Sequence, residues 1–226
     1  MTLLMVRHGQ ASFGKANYDE LSERGHSQAY QLGLWLADHR HQFSHVRIGN
    51  MKRHRQTLEG IQKAYQERGL SLPNADVDAD LNEFDHGSVF SAYMQQHAHT
   101  DIVKAAAGGE TRATGAMVYA ALVAWMNDSL GELPETWHGF GARARQAADR
   151  LHDVDGDETL VISSGGLISR IAQAALEVPD HRAVDLNISL RNSALSEFHA
   201  RDKQWRLGMW NALPHLHNAR DMWTYF

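Results

Sequence analysis

Leu3-Leu4-Met5-Val6, near the start of the 226-residue chain, is a short apolar run that leads directly into Arg7-His8-Gly9. An apolar run of this length that ends at a turn containing glycine predicts a buried strand. The same arrangement returns at Leu160–Ile162, which runs into Ser163-Ser164-Gly165-Gly166 and then into a helix expected to reach Leu176. Both segments therefore place polar and glycine residues at the point where a buried strand ends.

Strand and helix patterns alternate around these two segments. Ser22 is a suitable N-cap for a first helix, and a second helix is expected from about Met51 to Glu67, with Gly69 ending it. The further strand candidates are Val46–Ile48, the alternating and therefore exposed or edge-type Val77–Leu81, and the closing pair Ala194–His199 and Gln204–Trp210. Strands that alternate with helices predict an α/β fold, with a doubly wound, mostly parallel sheet flanked by helices.

The middle of the chain, residues 88–151, has a mostly helical pattern. No repeat, low-complexity linker or shift in composition marks a boundary there. We therefore expect one domain over residues 1–226, with 88–151 as a helical cap or flank within it. Tyr119, Trp125 and Trp137 are expected in the core. If these aromatic residues line a cap over the site instead, they favour a substrate with an apolar portion.

The composition excludes several classes of protein. The chain has 22 Lys and Arg against 27 Asp and Glu, a net charge of −5, which disfavours nucleic acid as a partner. It has no cysteine, which excludes disulfides, thiolate metal sites and cysteine catalysis. The apolar run that contains Met117–Met126 is too short to span a bilayer, and the first residues lack the features of a signal peptide. A cytoplasmic protein without a membrane partner is expected.

Groups suited to binding an anion follow three of the predicted strands. Ligands of open α/β sheets bind outside the carboxyl ends of the strands. Arg7-His8-Gly9, Arg53 and Ser164-Gly165-Gly166 are therefore expected to meet at one edge of the sheet. Arginine offers a charged fork that matches phosphate oxygens, and glycines at a helix start leave backbone N–H groups open to an anion. A histidine beside them, such as His8, can serve as a nucleophile.

The order of these motifs resembles the histidine phosphatase superfamily, also called phosphoglycerate mutase-like, over nearly the whole chain. The resemblance implies that His8 becomes a phosphohistidine, that Arg7 and Arg53 hold phosphate, and that Glu83 is the general acid. The matching segments are Met5–Gln10, the first-helix residues Asp19, Leu21, Ser22, Gly25, Gln28 and Ala29, Met51–Thr57 around Arg53, Leu81–Gly87 around Glu83, and Gly108-Gly109-Glu110-Thr111.

Two positions depart from the family pattern. Ser164 stands where the family has the histidine of a Ser-His-Gly motif, and Gly14 stands where many relatives have a phosphate-contacting Asn. Ser12, Lys15 or the loop backbone could substitute for that Asn. The Ser164 hydroxyl can donate one hydrogen bond to phosphate but carries no charge. Losing a charge-assisted bond costs about 1.5–3 kcal/mol, or roughly one to two decades in rate, so a weakened enzyme is expected rather than an inactive one.

The sequence thus predicts a phosphatase that hydrolyses a small phosphorylated metabolite, with His8 and Glu83 as catalytic residues. Arg7, Arg53, Ser164 and Gly165 are the predicted phosphate-binding residues. A phosphoglycerate mutase and a catalytically weak phosphate-binding module remain as alternatives. No metal or cofactor is expected, because the arginines supply the positive charge.

The other motifs in the sequence are interpreted without a catalytic or metal-binding role. A serine hydrolase is disfavoured because Ile162 stands where the nucleophile-elbow glycine is expected. Lys52 and Arg55 are expected on an exposed helix face. The tail has three aromatic residues, Trp223, Tyr225 and Phe226. They are expected either on the core or in a dimer contact, which leaves the oligomeric state open. The histidine pairs His39/His41, His97/His99 and His215/His217 are expected to be solvated surface residues.

Overall fold

A computed structural model describes residues 1–12, 19–40, 42–152 and 156–225. The strands in these ranges are β1 (Thr2–Arg7), β2 (His45–Ile48), β3 (Ala75–Val77), β4 (Glu158–Ser163), β5 (Leu195–Arg201) and β6 (Gln204–Ala212). The helices are α1 (Glu23–His39), α2 (Lys52–Glu67), α3 (His86–Gln96), α4 (Asp101–Ala107), α5 (Thr111–Met126), α6 (Trp137–His152), α7 (Gly165–Leu176) and α8 (Asp180–Ser189). Short 3₁₀ turns occupy Ala79–Leu81, Pro214–Leu216 and Arg220–Met222.

The six strands form one mixed sheet in the order β3-β2-β4-β1-β5-β6. The four strands β3, β2, β4 and β1 are mutually parallel, and the hairpin β5–β6 adds to β1 in antiparallel orientation. Val6 and Ile48 both pair with Ile162, so β1, β2 and β4 end at the same edge of the sheet. The predicted α/β fold with a mostly parallel, doubly wound sheet is confirmed.

Burial on both faces of the sheet explains why the four central residues of β1, Leu3–Val6, are all apolar. Leu3 and Met5 face a core formed with α3, α5, α6 and α7, whereas Leu4 and Val6 face a second core formed with α1 and α2. Helices from residues 88–151 contribute to the first core, where Trp125 and Trp137 are fully buried. Tyr119 was also expected in the core, but 43% of its surface is exposed.

Most of the predicted elements lie where the sequence placed them. Ser22 is the N-cap of α1 and accepts a hydrogen bond from the Gly25 N–H, and Gly69 follows the end of α2 with a left-handed φ of 69°. The strand expected over Val77–Leu81 is wrong in extent, although β3 does lie at the edge. The chain leaves the strand after Val77 because the Asp78 side chain accepts the Asp80 N–H and starts a 3₁₀ turn.

Helix α8 is an element that the sequence did not predict. It begins directly after Pro179 and buries only Ala183 and Val184 fully, so it has no continuous apolar stripe to mark it. None of the helices in the described ranges is both long and apolar enough to cross a membrane.

Gly25 lets the first turn of α1 lie directly against the loop that follows β1. A Cβ at Gly25 would sit 2.1 Å from the Gln10 carbonyl oxygen, and a Cβ at Gly9 would sit 2.4 Å from the Gly25 carbonyl oxygen. These contacts are between backbones, so no side-chain rotation can relieve them. The first-helix motif therefore requires glycine at position 25 because there is no room for a side chain.

We predict that Gly25→Ala lowers the free energy of unfolding by about 2–3 kcal/mol, because the new methyl group overlaps backbone atoms. Gly115→Ala is the matched control, since Gly115 also lies in a helix but has open space around its Cβ position. We expect that control to raise the free energy of unfolding by roughly 0.5–1 kcal/mol. Urea denaturation followed by circular dichroism measures both. Equal effects of the two substitutions would contradict the steric explanation.

Candidate active site

A pocket opens at the sheet edge where β1, β2 and β4 end. Its charged and polar groups come from segments far apart in the chain: the end of β1, the start of α2, the loop before α3, and α8. The lining residues are Arg7, His8, Arg53, Glu83, Phe84, His86, Phe90, Val118, Leu122, Asn187, Ile188 and Tyr225. Four of the six residues predicted for the site, Arg7, His8, Arg53 and Glu83, are thus brought together.

His8 is held with one ring nitrogen free. It follows β1, is 4% exposed, and its Nδ1 lies 2.7 Å from the Gly9 carbonyl oxygen. A carbonyl oxygen can only accept, so this geometry assigns the proton to Nδ1 and leaves the lone pair on Nε2. Burial, followed by the positive charges of Arg53 and Arg7, holds the pKa of His8 well below its ordinary value. His8 is therefore neutral near pH 7.

Arg53 is buried and oriented by an acidic partner. It lies in the first turn of α2, its side chain is only 2% exposed, and its Nη1 is 3.1 Å from Asp19 Oδ1. Asp19 Oδ2 also accepts the Lys52 N–H at 2.8 Å, which ties the carboxylate to the helix start. The sequence placed Asp19 in a motif but gave it no role. The Lys52 and Arg55 side chains are exposed, as expected, and Lys52 pairs with Glu20.

Arg7 points across the site toward α8. Its guanidinium donates to the Leu190 carbonyl oxygen, at the end of that helix. Gly165, the first residue of α7, lies against the same guanidinium, because a Cβ at Gly165 would be 3.3 Å from Arg7 Nε and 2.8 Å from Asn187 Oδ1. The glycine at this position therefore lets Arg7 lie close to the N-terminus of α7, and it places predicted phosphate ligands side by side.

Glu83 is held by backbone N–H groups. Its Oε2 accepts the Gly166 N–H of α7 at 3.0 Å, and its Oε1 accepts the Phe84 N–H at 3.3 Å. The loop that carries Glu83 is fixed from the other side by Arg143 of α6. The Arg143 Nη1 donates to the carbonyl oxygens of Asp80 and Asn82, both at 2.9 Å.

Arg143 is in turn held by a bidentate ion pair with Glu135, at 2.8 and 2.9 Å. The guanidinium thus joins α6 to the Glu83 loop, about sixty residues earlier in the chain. Neither Arg143 nor Glu135 was predicted from the sequence, because nothing in the local pattern around either residue indicates so distant a partner.

Ser164, like Gly165, is a predicted site residue that does not line the pocket. It has no exposed surface, and its Oγ lies 2.7 Å from Nε2 of His54. His54 is also fully buried and lies next to Arg53 in α2. Direct contact between the Ser164 hydroxyl and a substrate stays a prediction.

One wall of the pocket is apolar. Phe90 of α3, Val118 and Leu122 of α5, and Ile188 of α8 line it, so the helices of residues 88–151 contribute to the site as well as to the core. Trp125 and Trp137 lie beneath this wall, in the core. His86 also lines the pocket, and burial followed by the charge of Arg53 lowers its pKa.

The tail of the chain closes one side of the pocket. Gln28 accepts the Gln10 N–H at 2.8 Å and donates to Thr224 Oγ1 at 2.9 Å, so α1 ties the tail to the His8 loop. Trp223 packs against the core, and Tyr225 lines the pocket. The expected packing on the core is therefore seen for Trp223, whereas 41% of the Tyr225 surface is exposed, so a dimer contact through Tyr225 stays a prediction. Phe226 lies outside the described residues.

The remaining predictions concern the histidine pairs, metal binding and the loop after His8. Among the histidine pairs, His215 is not a solvated surface residue: its Nε2 lies 2.9 Å from Ser193 Oγ, and burial lowers its pKa to about 3. Across the described ranges, no cluster of three or more His, Asp or Glu side chains is arranged to hold a metal ion. Gly14, Lys15 and His41 lie outside the described residues. Ser12 is buried.

The chain is similar in fold to several solved phosphatases and a mutase. An Escherichia coli protein assigned as an alpha-ribazole-5′-P phosphatase matches with a TM-score of 0.65 and 21% identity, covering 94% of this chain and 97% of that one. A phosphoserine phosphatase variant from Entamoeba histolytica, in complex with phosphoserine, matches with a TM-score of 0.63 and 16% identity over 95% and 98%. A phosphoglycerate mutase from Bacillus anthracis gives 0.63 and 17% over 97% and 96%.

Sequence comparison agrees with these structural matches. No curated protein sequence matches the chain significantly. The model of the histidine phosphatase superfamily (branch 1), however, matches residues 3–213, which include the end of β1, the start of α2 and the start of α7. The resemblance in the motifs is therefore confirmed over nearly the full length, and the chain belongs to branch 1 of the histidine phosphatase superfamily.

Proposed function

We propose that this chain hydrolyses small phosphomonoesters through a covalent phosphohistidine at His8. The observation that carries the proposal is the placement of the His8 imidazole: its Nδ1 is held by the Gly9 carbonyl oxygen, and it lines a pocket together with two arginines. A neutral imidazole has the lone pair that nucleophilic attack requires, and the two guanidinium groups match a phosphoryl dianion.

In the first step, His8 Nε2 attacks phosphorus and forms the N–P bond while the ester P–O bond breaks. Arg7 and Arg53 hold the phosphoryl oxygens, together with the Gly165 N–H at the start of α7, and stabilise the charge that develops. The carboxylic acid of Glu83 gives its proton to the departing alkoxide, so the product leaves as an alcohol. Ser164 would take part as a direct ligand only if its hydroxyl turned from His54 toward the phosphate.

In the second step, the Glu83 carboxylate accepts a proton from water as that water attacks the phosphohistidine. The N–P bond breaks, inorganic phosphate forms, and His8 returns to its neutral state with the proton still on Nδ1. Because Glu83 ends this step protonated, it is ready for the next substrate. The cycle balances without a metal ion or a redox partner.

The apolar wall of the pocket favours a substrate whose leaving group is uncharged and partly apolar. Phe90, Val118, Leu122 and Ile188 would contact that group. Within the described ranges, Arg7 and Arg53 are the arginine or lysine residues that line the pocket, and both are assigned to the phosphoryl group. A second phosphate or a carboxylate, as in bisphosphoglycerate, therefore finds less support there than an apolar group does, which favours a phosphatase over a mutase.

Substitution of the nucleophile tests the proposal. We predict that His8→Ala removes hydrolysis of 4-nitrophenyl phosphate and acid-labile labelling of the protein by a phosphorus-32 substrate, because the N–P bond can no longer form. His181→Ala, an exposed histidine of α8, is the matched control and should retain both. Equal turnover by wild type and His8→Ala would refute His8 as the nucleophile.

The two alternatives give different results in the same assays. A mutase converts 3-phosphoglycerate to 2-phosphoglycerate in the presence of bisphosphoglycerate faster than it releases phosphate. A phosphate-binding module binds inorganic phosphate with no turnover of any phosphomonoester in a metabolite panel. Either outcome would replace hydrolysis as the function.

The charge around His8 generates a second prediction. In wild type, we expect His8 to titrate below about pH 6.5, the ordinary value for histidine. Positive charge disfavours the imidazolium, so Arg53→Met should raise the pKa of His8 and move its titration to higher pH. Proton NMR of the His8 ring measures both. Arg55→Met, exposed on the same helix, should leave the midpoint in place. A downward or absent shift in Arg53→Met would contradict this account.

The role of Glu83 predicts a dependence on the leaving group. Glu83→Gln keeps the size of the side chain but removes proton transfer, which contributes about 10²–10⁴-fold. We expect kcat/KM for an alkyl phosphate to fall by about that factor, and kcat/KM for 4-nitrophenyl phosphate to fall much less, because nitrophenolate leaves without a proton. The control is Glu132→Gln, an exposed glutamate. Equal losses for both substrates would argue against a general acid at Glu83.

A further inference from the structure

The hydroxyl of Ser164 is directed away from the helix that it precedes. Ser164 is the N-cap residue of α7, yet its side chain makes no capping hydrogen bond. Serine at this position ordinarily accepts the N–H of the second or third helical residue. Two other caps in this chain do so, since Ser22 accepts the Gly25 N–H and Asp85 accepts the Ser88 N–H, both at 3.1 Å.

His54 is the group that holds the Ser164 hydroxyl. The Nε2···Oγ distance is 2.7 Å, and both residues are fully buried. The imidazole lies within the active-site region, because its ring centroid is 5.7 Å from that of His8. The contact therefore joins the start of α2, which carries Arg53, to the start of α7, which carries Gly165.

The backbone reserves space for this imidazole. A Cβ at Gly49 would lie 2.3 Å from Nδ1 of His54 and 2.6 Å from Asn82 Oδ1. Gly49 is not among the residues with a left-handed φ, so the glycine is required here by space and not by conformation. The position of the His54 ring is thus built into the loop after β2.

The site uses one of the N–H groups that a serine cap can take. The second residue of α7 is Gly166, and its N–H donates to the Glu83 carboxylate at 3.0 Å. A Ser164 hydroxyl that accepted this N–H would compete with the Glu83 carboxylate for it.

We propose that His54 is a positioning residue that keeps the Ser164 hydroxyl off the first turn of α7, so that the Gly166 N–H remains available to Glu83. The inference rests on the proposed hydrolysis, because it assigns His54 a part in placing the general acid. His54 acts through Ser164 and does not touch the substrate. The consequence is specific: His54 matters for catalysis because a serine is present at position 164.

The test compares His54→Leu, Ser164→Ala and the double variant. Leucine is similar in volume to histidine but makes no hydrogen bond, so it frees the hydroxyl to cap α7. We expect His54→Leu to lower kcat/KM for an alkyl phosphate by about tenfold, with a smaller loss for 4-nitrophenyl phosphate. In the double variant the competing hydroxyl is absent, and we expect activity at least about fivefold above that of His54→Leu.

Conservative replacement and stability supply the controls. His54→Gln places an amide nitrogen near the position of Nε2 and should retain most of the alkyl phosphate activity. Thermal melts of all variants separate this effect from loss of folding, because a purely structural role predicts that the double variant is less stable and less active than either single variant. A double variant no more active than His54→Leu would overturn the proposal.

A readout without substrate separates this inference from the proposed function. In wild type, Glu83→Gln should shift the Gly166 amide NMR resonance, because the acceptor of that N–H changes. In the His54→Leu background the same substitution should shift it much less, since Ser164 then occupies the amide. Equal shifts in both backgrounds would overturn the role of His54 even if the chain is a phosphatase. If the wild-type chain hydrolyses no phosphomonoester, the proposed hydrolysis is overturned, but the NMR comparison of the Gly166 amide still tests the role of His54.

Discussion

The parallel pairing of β1 with β4 is the constraint on which the site depends. Arg7 pairs with Ser163 in the register of these strands, and the His8 N–H donates to the Ser163 carbonyl oxygen at 2.9 Å. The two strand ends are therefore locked side by side, and the loop after β1 must face the start of α7. Because β2 pairs with the other side of β4, the start of α2 reaches the same place. Residues more than 150 positions apart thus converge without a dedicated linker.

This convergence buries positive charge, which is costly unless it is partnered. The Asp19 carboxylate forms an ion pair with the Arg53 guanidinium, and the Leu190 carbonyl oxygen accepts a hydrogen bond from the Arg7 guanidinium. The same two charges, together with burial, keep His8 neutral. In the proposed mechanism, one arrangement therefore serves two purposes, because the arginines that would attract a phosphoryl dianion also help to maintain the lone pair on His8. A bound dianion would relieve the repulsion between these cations.

The sequence predicted the parts of this structure that depend on local pattern. The apolar runs of β1 and β4 identified buried strands, and Ser22 and Gly69 marked helix ends, because each reflects the backbone within a few residues. The residues Arg7, His8, Arg53 and Glu83 were found because they lie at strand ends or in motifs. Contacts that depend on distant pairing were missed: Arg143 to the Glu83 loop, Asp19 to Arg53, and His54 to Ser164. A residue's partner across the fold is set by topology, and one sequence does not encode that pairing in any local spacing.

The way Glu83 is held shows why those distant contacts matter. In the proposed reaction, Glu83 gives up a proton in one step and takes one in the next, so it must keep its position in both charge states. Backbone N–H groups of Gly166 and Phe84 hold the carboxylate, and among the described residues no ion pair joins it to a basic side chain. Arg143 pairs with Glu135 and donates its remaining hydrogen bonds to backbone carbonyl oxygens. The loop is thereby fixed by a guanidinium whose hydrogen bonds do not involve the Glu83 carboxylate, so the position of the loop need not depend on whether Glu83 carries the proton.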